Sequence, residues 1–437
     1  MFESEVQIKL IMERLINLLK VNEEVKDYRI IINNKESYQL FFVQDKLETN
    51  RCTDSTSYNV TIYVDVDEKR GCGSFDYADY LSDEDIKKLI NEAIYNAKLA
   101  LNPFYPLPTS TGDKPITLKS NMSKMNLSEA AEKVADAIFK ANMSENCYSS
   151  ATEIFIYHNK TRIINSCGLD NSDEKFYGEV ELIPTFETEN KEVEIYHMIR
   201  FMELDEKAIT DEVNEVLDLV KARYYAEQVP ENLNCPVIID GYEVGQIFDN
   251  YFAEDLLYNC EYTKTNLFSV GQDIQENGVG DRITMRAVPY YKGACNSRGI
   301  DADGIVLKET LLVDNGVIMS RFGNNQYGYY LKQTPTGTLP VLVVEPGKNS
   351  IDEIKKSPYL RCVRFSSIQI DRMNGLIGGE VRLAFYFDGR EEIPVTGFTI
   401  SGNMHELKSK MILSKETATF AYYHGPKYIC FPNMKVF

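Results

Sequence analysis

The stretch Cys235-Pro236-Val237-Ile238-Ile239-Asp240-Gly241-Tyr242-Glu243-Val244-Gly245-Gln246 carries the chain from a short apolar strand, Pro236–Ile239, towards a helical stretch, Ile247–Tyr258. Zinc needs imidazole, thiolate or carboxylate donors, and hydrolysis needs a base beside the metal-bound water. Gly241, Tyr242 and Gln246 supply neither a good ligand set nor a base. Glu243 falls in the first turn of the helix, where acidic residues are common, and reads as a solvent-facing side chain.

Working outward, the polar connection Pro230–Pro236 separates two differently composed halves and divides the chain into domains at 1–229 and 230–437. Upstream, Ile8, Ile11, Met12, Leu15 and Leu19 recur at helical spacing. Tyr28–Ile32, Tyr38–Val43 and Asn59–Val66 read as strands, with Asn33-Asn34 as a hairpin turn between the first two. Val60, Ile62, Val64 and Val66 alternate as in a sheet with one wet face. Ser82, with Asp85 three residues on, marks a helix start, and Ile86, Leu89, Ile90, Ala93 and Ala97 form its apolar stripe. Leu107–Asn126 reads as a linker and Ser128–Ala141 as a third helix. Thr152–Tyr157 and Thr161–Asn165 are expected as strands joined by a His158-Asn159-Lys160 turn. Lys175–Ile183 and Val193–Glu203 read as further strands, and Thr210–Ala226 as a helix. Beyond the boundary, β-branched residues, Tyr and Gly dominate. The expected fold class is α+β: an N-terminal α/β domain with a curved antiparallel or mixed sheet and helices, then a β-dominated, barrel-like C-terminal domain.

Composition narrows the function classes. The 437 residues are 43% hydrophobic, enough for a large core. A net charge of −19 repels phosphate backbones, and no Lys/Arg-rich run offsets it, so no nucleic-acid partner is expected. The nine cysteines are scattered, with no C-x-x-C pair, as suits buried thiols in a reducing cytosol. Met1–Leu19 lacks the apolar core of a signal peptide, and no segment is apolar and long enough to span a bilayer. A cytoplasmic protein with no membrane partner is expected. Only four histidines occur, and no two lie within a helical turn. His405-Glu406 fails the H-E-x-x-H pattern, because Ser409 and Lys410 stand where a second His is needed. A remote assembly of His197, His405 and a carboxylate is the residual metal alternative. No G-x-S-x-G elbow and no phosphate-binding G-x-x-x-x-G-K-[ST] loop is found. Gly378-Gly379 reads as a strand bulge or close approach.

The order of several short motifs resembles the TldD/PmbA family of peptidases, also known as modulators of DNA gyrase. The resemblance is carried by Asn165-Ser166-Cys167-Gly168, Cys235-Pro236-Val237-Ile238, and Gly328 followed by Pro335-Thr336-Gly337 and Glu345-Pro346-Gly347. Gly375-Leu376-Ile377-Gly378-Gly379-Glu380, Pro394-Val395 and Thr399-Ile400-Ser401-Gly402-Asn403-Met404 continue it in the same order. That family carries a His-Glu-Ala-Val-Gly-His type of motif after the strand. Here Val244 and Gly245 match it, whereas Gly241 and Gln246 stand at the two His and Tyr242 at the Glu. Glu243 could stand as a shifted remnant of that Glu. A further Cys ligand of the zinc-bearing subunits has no counterpart in Ile412–Thr419.

The resemblance therefore implies the metal-free PmbA/TldE-like branch, with no catalytic or metal residue in this chain and no cofactor of its own. Zinc is expected only in a TldD-like partner subunit. The implied partners are that subunit or a second copy as a homodimer, and the implied substrate is an unfolded or leader-type peptide. Glu243, Gly245, Gly402 and Asn403 are then peptide-groove or fold-determining positions. A stand-alone peptide- or ligand-binding scaffold is the alternative from another class. Direct action on gyrase or DNA rests on the family's older name alone.

Overall fold

The computed structural model describes residues 5–231, 233–355, 358–432 and 434–437. Long strands organise the first half. Asp27–Val43, Lys46–Val66, Cys147–Asn165 and Asp170–Thr188 span 17, 21, 19 and 19 residues and pair antiparallel in an eight-stranded sheet. Lys69–Tyr77 and Leu101–Pro103 extend one side of it, and Lys191–Glu194 and His197–Phe201 the other.

Strand side chains alternate between faces. Ile30 and Leu40 share a parity on Asp27–Val43, so the two clusters they join lie on one face of the sheet. Helices Glu5–Val21 and Asp83–Leu99 cover the Ile30 end, and Leu127–Phe139 and Glu206–Tyr224 cover the Leu40 end. Ser82 caps Asp83–Leu99 by accepting from the Asp85 N–H at 3.2 Å, and Ile86, Ile90, Ala93 and Ala97 are buried, as the periodicity predicts. The helix expected from Thr210 begins earlier, at Glu206, because Asp205 caps it.

Two expected turns are strand interior. Asn33 and Asn34 sit mid-strand, paired with Ser57 and Thr56 on one side and with Thr161 and Lys160 on the other. Their amides are satisfied across the ladder: Asn34 Nδ2 donates to Thr56 Oγ1 at 2.8 Å, and Thr161 Oγ1 donates to Asn33 Oδ1 at 2.9 Å. His158-Asn159-Lys160 is likewise continuous strand, with His158 between Glu36 and Glu174 and stacked on Phe176. Polar residues with cross-strand partners give no reason to turn. The reversals fall instead at Gln44, with φ 54°, and at Gly168, with φ 84°.

The second half holds two sheets. In a nine-stranded mixed sheet, Val237–Asp240 runs parallel to Tyr359–Asp371 and antiparallel to Tyr428–Phe431. Glu227–Gln228 belongs to this sheet through Glu392–Thr396. A six-stranded sheet ends in the hairpin Thr417–Phe420 and Tyr423–Pro426. One core draws on both sheets, from Ile239, Leu360 and Val381 to Met285, Leu342 and Tyr423. The α+β class stands, but the barrel-like expectation is corrected: among the described residues the sheets remain open and none closes on itself. The β-rich composition reflects two facing sheets whose gap is filled by a helix. Among the described residues, no helix is long and apolar enough to cross a membrane.

Candidate functional site

Val237–Asp240 is buried at all four residues and delivers the chain to Gly241. Gly241 has φ 83° and ψ −135°, a backbone conformation that side-chain-bearing residues rarely adopt. Among the described residues, no atom beyond its two chain neighbours stands within 4 Å of where its Cβ would lie, so backbone conformation rather than space selects glycine. A helix follows at once, earlier than the expected Ile247. Tyr242–Ile247 is α-helical, Phe248–Ala253 is π-helical and Glu254–Leu256 closes as a 3-10 turn. Val244, Ile247, Phe248, Tyr251, Phe252 and Leu256 are buried in the core between the sheets. The wider π turn is of a kind often found at functional sites.

Aromatic side chains crowd the start of this helix. Tyr242 is 39% exposed and meets Phe420 and Tyr422 edge-on, at centroid distances of 5.7 and 5.6 Å. A Cβ on Gly245 would lie 3.1 Å from Cγ of the fully buried Tyr423. The helix therefore approaches the Tyr423–Pro426 strand as closely as glycine permits. Gln246 is half-buried.

Glu243 is half-buried, not solvent-facing. Burial pushes its carboxyl up to about 7; the Arg364 guanidinium opposes this and Asp240 adds to it. Asp240 is itself 8% exposed and accepts from Arg361 Nη1 at 2.9 Å. Desolvation raises the Asp240 carboxyl, and the Arg361 charge works against it. Burial, together with the neighbouring Tyr242 hydroxyl, raises the Tyr422 phenol.

Gly402 and Asn403 lie at the end of Phe398–Asn403. A Cβ on Gly402 would fall 2.6 Å from Leu407 Cδ1. Asn403 caps Met404–Leu407, accepting from the His405 N–H at 2.9 Å. His405 Nδ1 lies 2.7 Å from the Tyr251 hydroxyl, so this cap is tied to the π-helical turn and not to Tyr242.

The residues present do not fit zinc. The three motif positions offer no side chain at Gly241, a phenol packed among aromatics at Tyr242 and a carboxamide at Gln246. Among the described residues, no three His, Cys, Asp or Glu side chains converge as a metal site would require. His197 and His405 are not brought together: His197 Nε2 contacts Glu212 at 2.8 Å, while His405 is held by Tyr251. His424 Nδ1 contacts Thr419 Oγ1 at 2.9 Å. Cys430 is 4% exposed inside Tyr428–Phe431.

Sequence reasoning missed Phe420, Tyr422, Arg361 and Arg364. Each lies more than a hundred residues from the motif, and no local spacing announces it. The adjacent aromatics Tyr422-Tyr423 after a strand-like run are the nearest thing to a signal.

Residues 232–437 match the family described as PmbA/TldA metallopeptidase C-terminal domain. A curated metalloprotease of Methanothermobacter thermautotrophicus is 28% identical over 165 residues. That match covers 33% of this chain, which spans only 36% of the relative's length. The crystal structure of TldE from Thermococcus kodakarensis has a TM-score of 0.80 at 18% identity, covering 98% of this chain and 99% of that one. A Thermotoga maritima structure named as a candidate modulator of a DNA gyrase has a TM-score of 0.76 at 16% identity, covering 98% and 100%. At these identities the structures establish a shared fold.

Proposed function

We propose, from the premise that residues 232–437 of this chain match the PmbA/TldA metallopeptidase C-terminal domain family, that it is the non-catalytic, PmbA/TldE-like subunit of a two-subunit peptidase. The observation that carries this reading is the state of the motif. Its strand, its Val244 and Gly245 and its helix are in place, while Gly241, Tyr242 and Gln246 hold no ligand set. A TldD-like partner would then supply the zinc and the general base. The all-thiol state of the nine cysteines suits the cytosol as the compartment.

The contribution of this subunit is to help hold an extended peptide. Thr417–Phe420 is the last strand of the six-stranded sheet, and its residues alternate between exposed and half-buried. An edge of this kind offers backbone hydrogen bonds to an added strand without demanding a sequence. Its last residue, Phe420, touches Tyr242, so a peptide on this edge would run beside the emptied motif.

Co-expression with a zinc-bearing TldD-like subunit tests this reading. The expected result is cleavage of an unfolded protein by the mixture, with neither cleavage nor stoichiometric zinc in this chain alone. Zinc-dependent cleavage by this chain alone would overturn it. Tight peptide binding by a chain that never associates with such a subunit would favour the scaffold reading instead.

A further inference from the structure

The segment that follows the strand Leu101–Pro103 runs between the two halves of the molecule. From Phe104 to Pro108 it belongs to no strand or helix. Pro103, Pro106 and Pro108 lack an N–H and have a restricted φ, which favours an extended course. Its carbonyls must therefore find partners outside the segment.

Those partners are side chains, and they come alternately from the two halves. The Tyr330 hydroxyl donates to the Pro103 carbonyl at 2.5 Å, and Arg70 Nη1 to the Tyr105 carbonyl at 3.0 Å. Asn325 Nδ2 donates to the Pro106 carbonyl at 2.6 Å, and Asn165 Nδ2 to the Pro108 carbonyl at 2.7 Å. Tyr330 and Asn325 stand on the helix Asn325–Leu331 of the second half. Arg70 and Asn165 stand on Lys69–Tyr77 and Cys147–Asn165 of the eight-stranded sheet.

The side chains of the segment repeat the pattern. The Tyr105 ring is edge-on to Tyr63 of the sheet and to Tyr330 of the helix, at centroid distances of 6.4 and 6.0 Å. The Arg70 guanidinium, buried with Asp27 and Asp65, lies 4.5 Å from the centre of the Phe104 ring. Asp303 joins the same junction, accepting from Arg29 Nη1 of the sheet and from the Asn325 N–H. Further on, Leu118 is buried with Met202 of the first half and with Cys295 and Ala421 of the second.

Asn165 and Asn325 are each 7% exposed. Lifting the segment would strand a buried amide donor on either side, which is costlier than losing an exposed hydrogen bond. Asn165 Oδ1 also accepts from the Cys167 and Leu169 N–H groups, at 2.9 and 3.1 Å. One carboxamide thus shapes the Asn165-Ser166-Cys167-Gly168 turn and pins the segment.

We propose that Pro103–Pro108 is a clasp that locks the two halves of this chain into one cooperative unit, with Asn165 and Asn325 as its latches. The clasp acts whether or not the chain is a peptidase subunit.

Two native thiols report the halves separately. Cys147 is buried beneath the helices of the eight-stranded sheet, and Cys362 in the core between the other two sheets. Pulse labelling of the full chain with N-ethylmaleimide across a urea series, read by peptide mass spectrometry, gives a midpoint for each. In wild type the two midpoints should coincide. Asn165→Asp keeps the oxygen that holds the turn and loses the donor to Pro108. Combined with Asn325→Ala it opens both latches, and the midpoints should part by about 0.5 M urea or more. Tyr330→Phe keeps the ring beside Tyr105 and loses only the donor to Pro103, so it should part them by less. If the double variant does not fold, each single latch variant carries the same test. Separate midpoints in wild type, or coincident midpoints in the folded latch variants, overturns the proposal.

Discussion

The ring of Tyr242 stands edge-on to the ring of Tyr422, with centroids 5.6 Å apart and planes at 90°. This clamp occupies the position where the resemblance places a catalytic Glu, and Gly241 beside it has positive φ. Restoring the motif letters should therefore not restore the site. The variant Gly241→His/Tyr242→Glu/Gln246→His is expected to bind no stoichiometric zinc on metal analysis. It should also lose stability in urea, by about 1–3 kcal/mol for the strained backbone and about 0.5–1.5 kcal/mol for the lost ring contacts. Tight zinc binding with undiminished stability would show that the clamp is no barrier.

Asp255 is fully buried at the end of the same helix, and Arg372 Nη1 donates to its Oδ1 at 2.6 Å. The Leu267 and Phe268 N–H groups also donate to this carboxylate, at 2.6 and 3.1 Å. Removing one partner of a buried pair strands the other charge. Arg372→Met should cost about 3–5 kcal/mol, read as a lowered urea midpoint at unchanged slope. Arg372→Met combined with Asp255→Asn should cost less than the separate effects added together. Strict additivity would show that the two side chains do not act as a pair.

The elements legible in the sequence were those whose cause is local. Ser82 capping Asp83–Leu99 and the stripe from Ile86 to Ala97 are set by residues three and four apart. Asn33-Asn34 and His158-Asn159-Lys160 misled because their partners, Thr56, Thr161, Glu36 and Glu174, lie on other strands. That no imidazole stands between Gly241 and Gln246 could be read directly, since it is a fact of sequence. What surrounds those residues could not. Glu243 looks solvent-facing from its place in a first helical turn, yet the sheet that brings Cys362 and Arg364 past it makes it half-buried.

That burial has a consequence with a definite sign. Folded Glu243 keeps its proton up to about 7, against an ordinary value of 4.5. Between those two values the folded chain binds more protons at this residue than the unfolded chain does. Stability must therefore fall as pH rises through that window. Below it both states are protonated and there is no penalty; above it the penalty is complete, on the order of 3 kcal/mol. Asp240 is raised in the same direction, and Arg364 opposes the shift at Glu243, so the isolated effect is the difference between wild type and Glu243→Gln. Urea unfolding of both proteins from pH 4.5 to pH 8 should show the Gln variant gaining steadily on wild type, with most of the gain complete by the upper end. A constant difference across that range would mean that the Glu243 carboxylate is already charged in the folded chain, held by Arg364 as an ion pair rather than desolvated beside Tyr242.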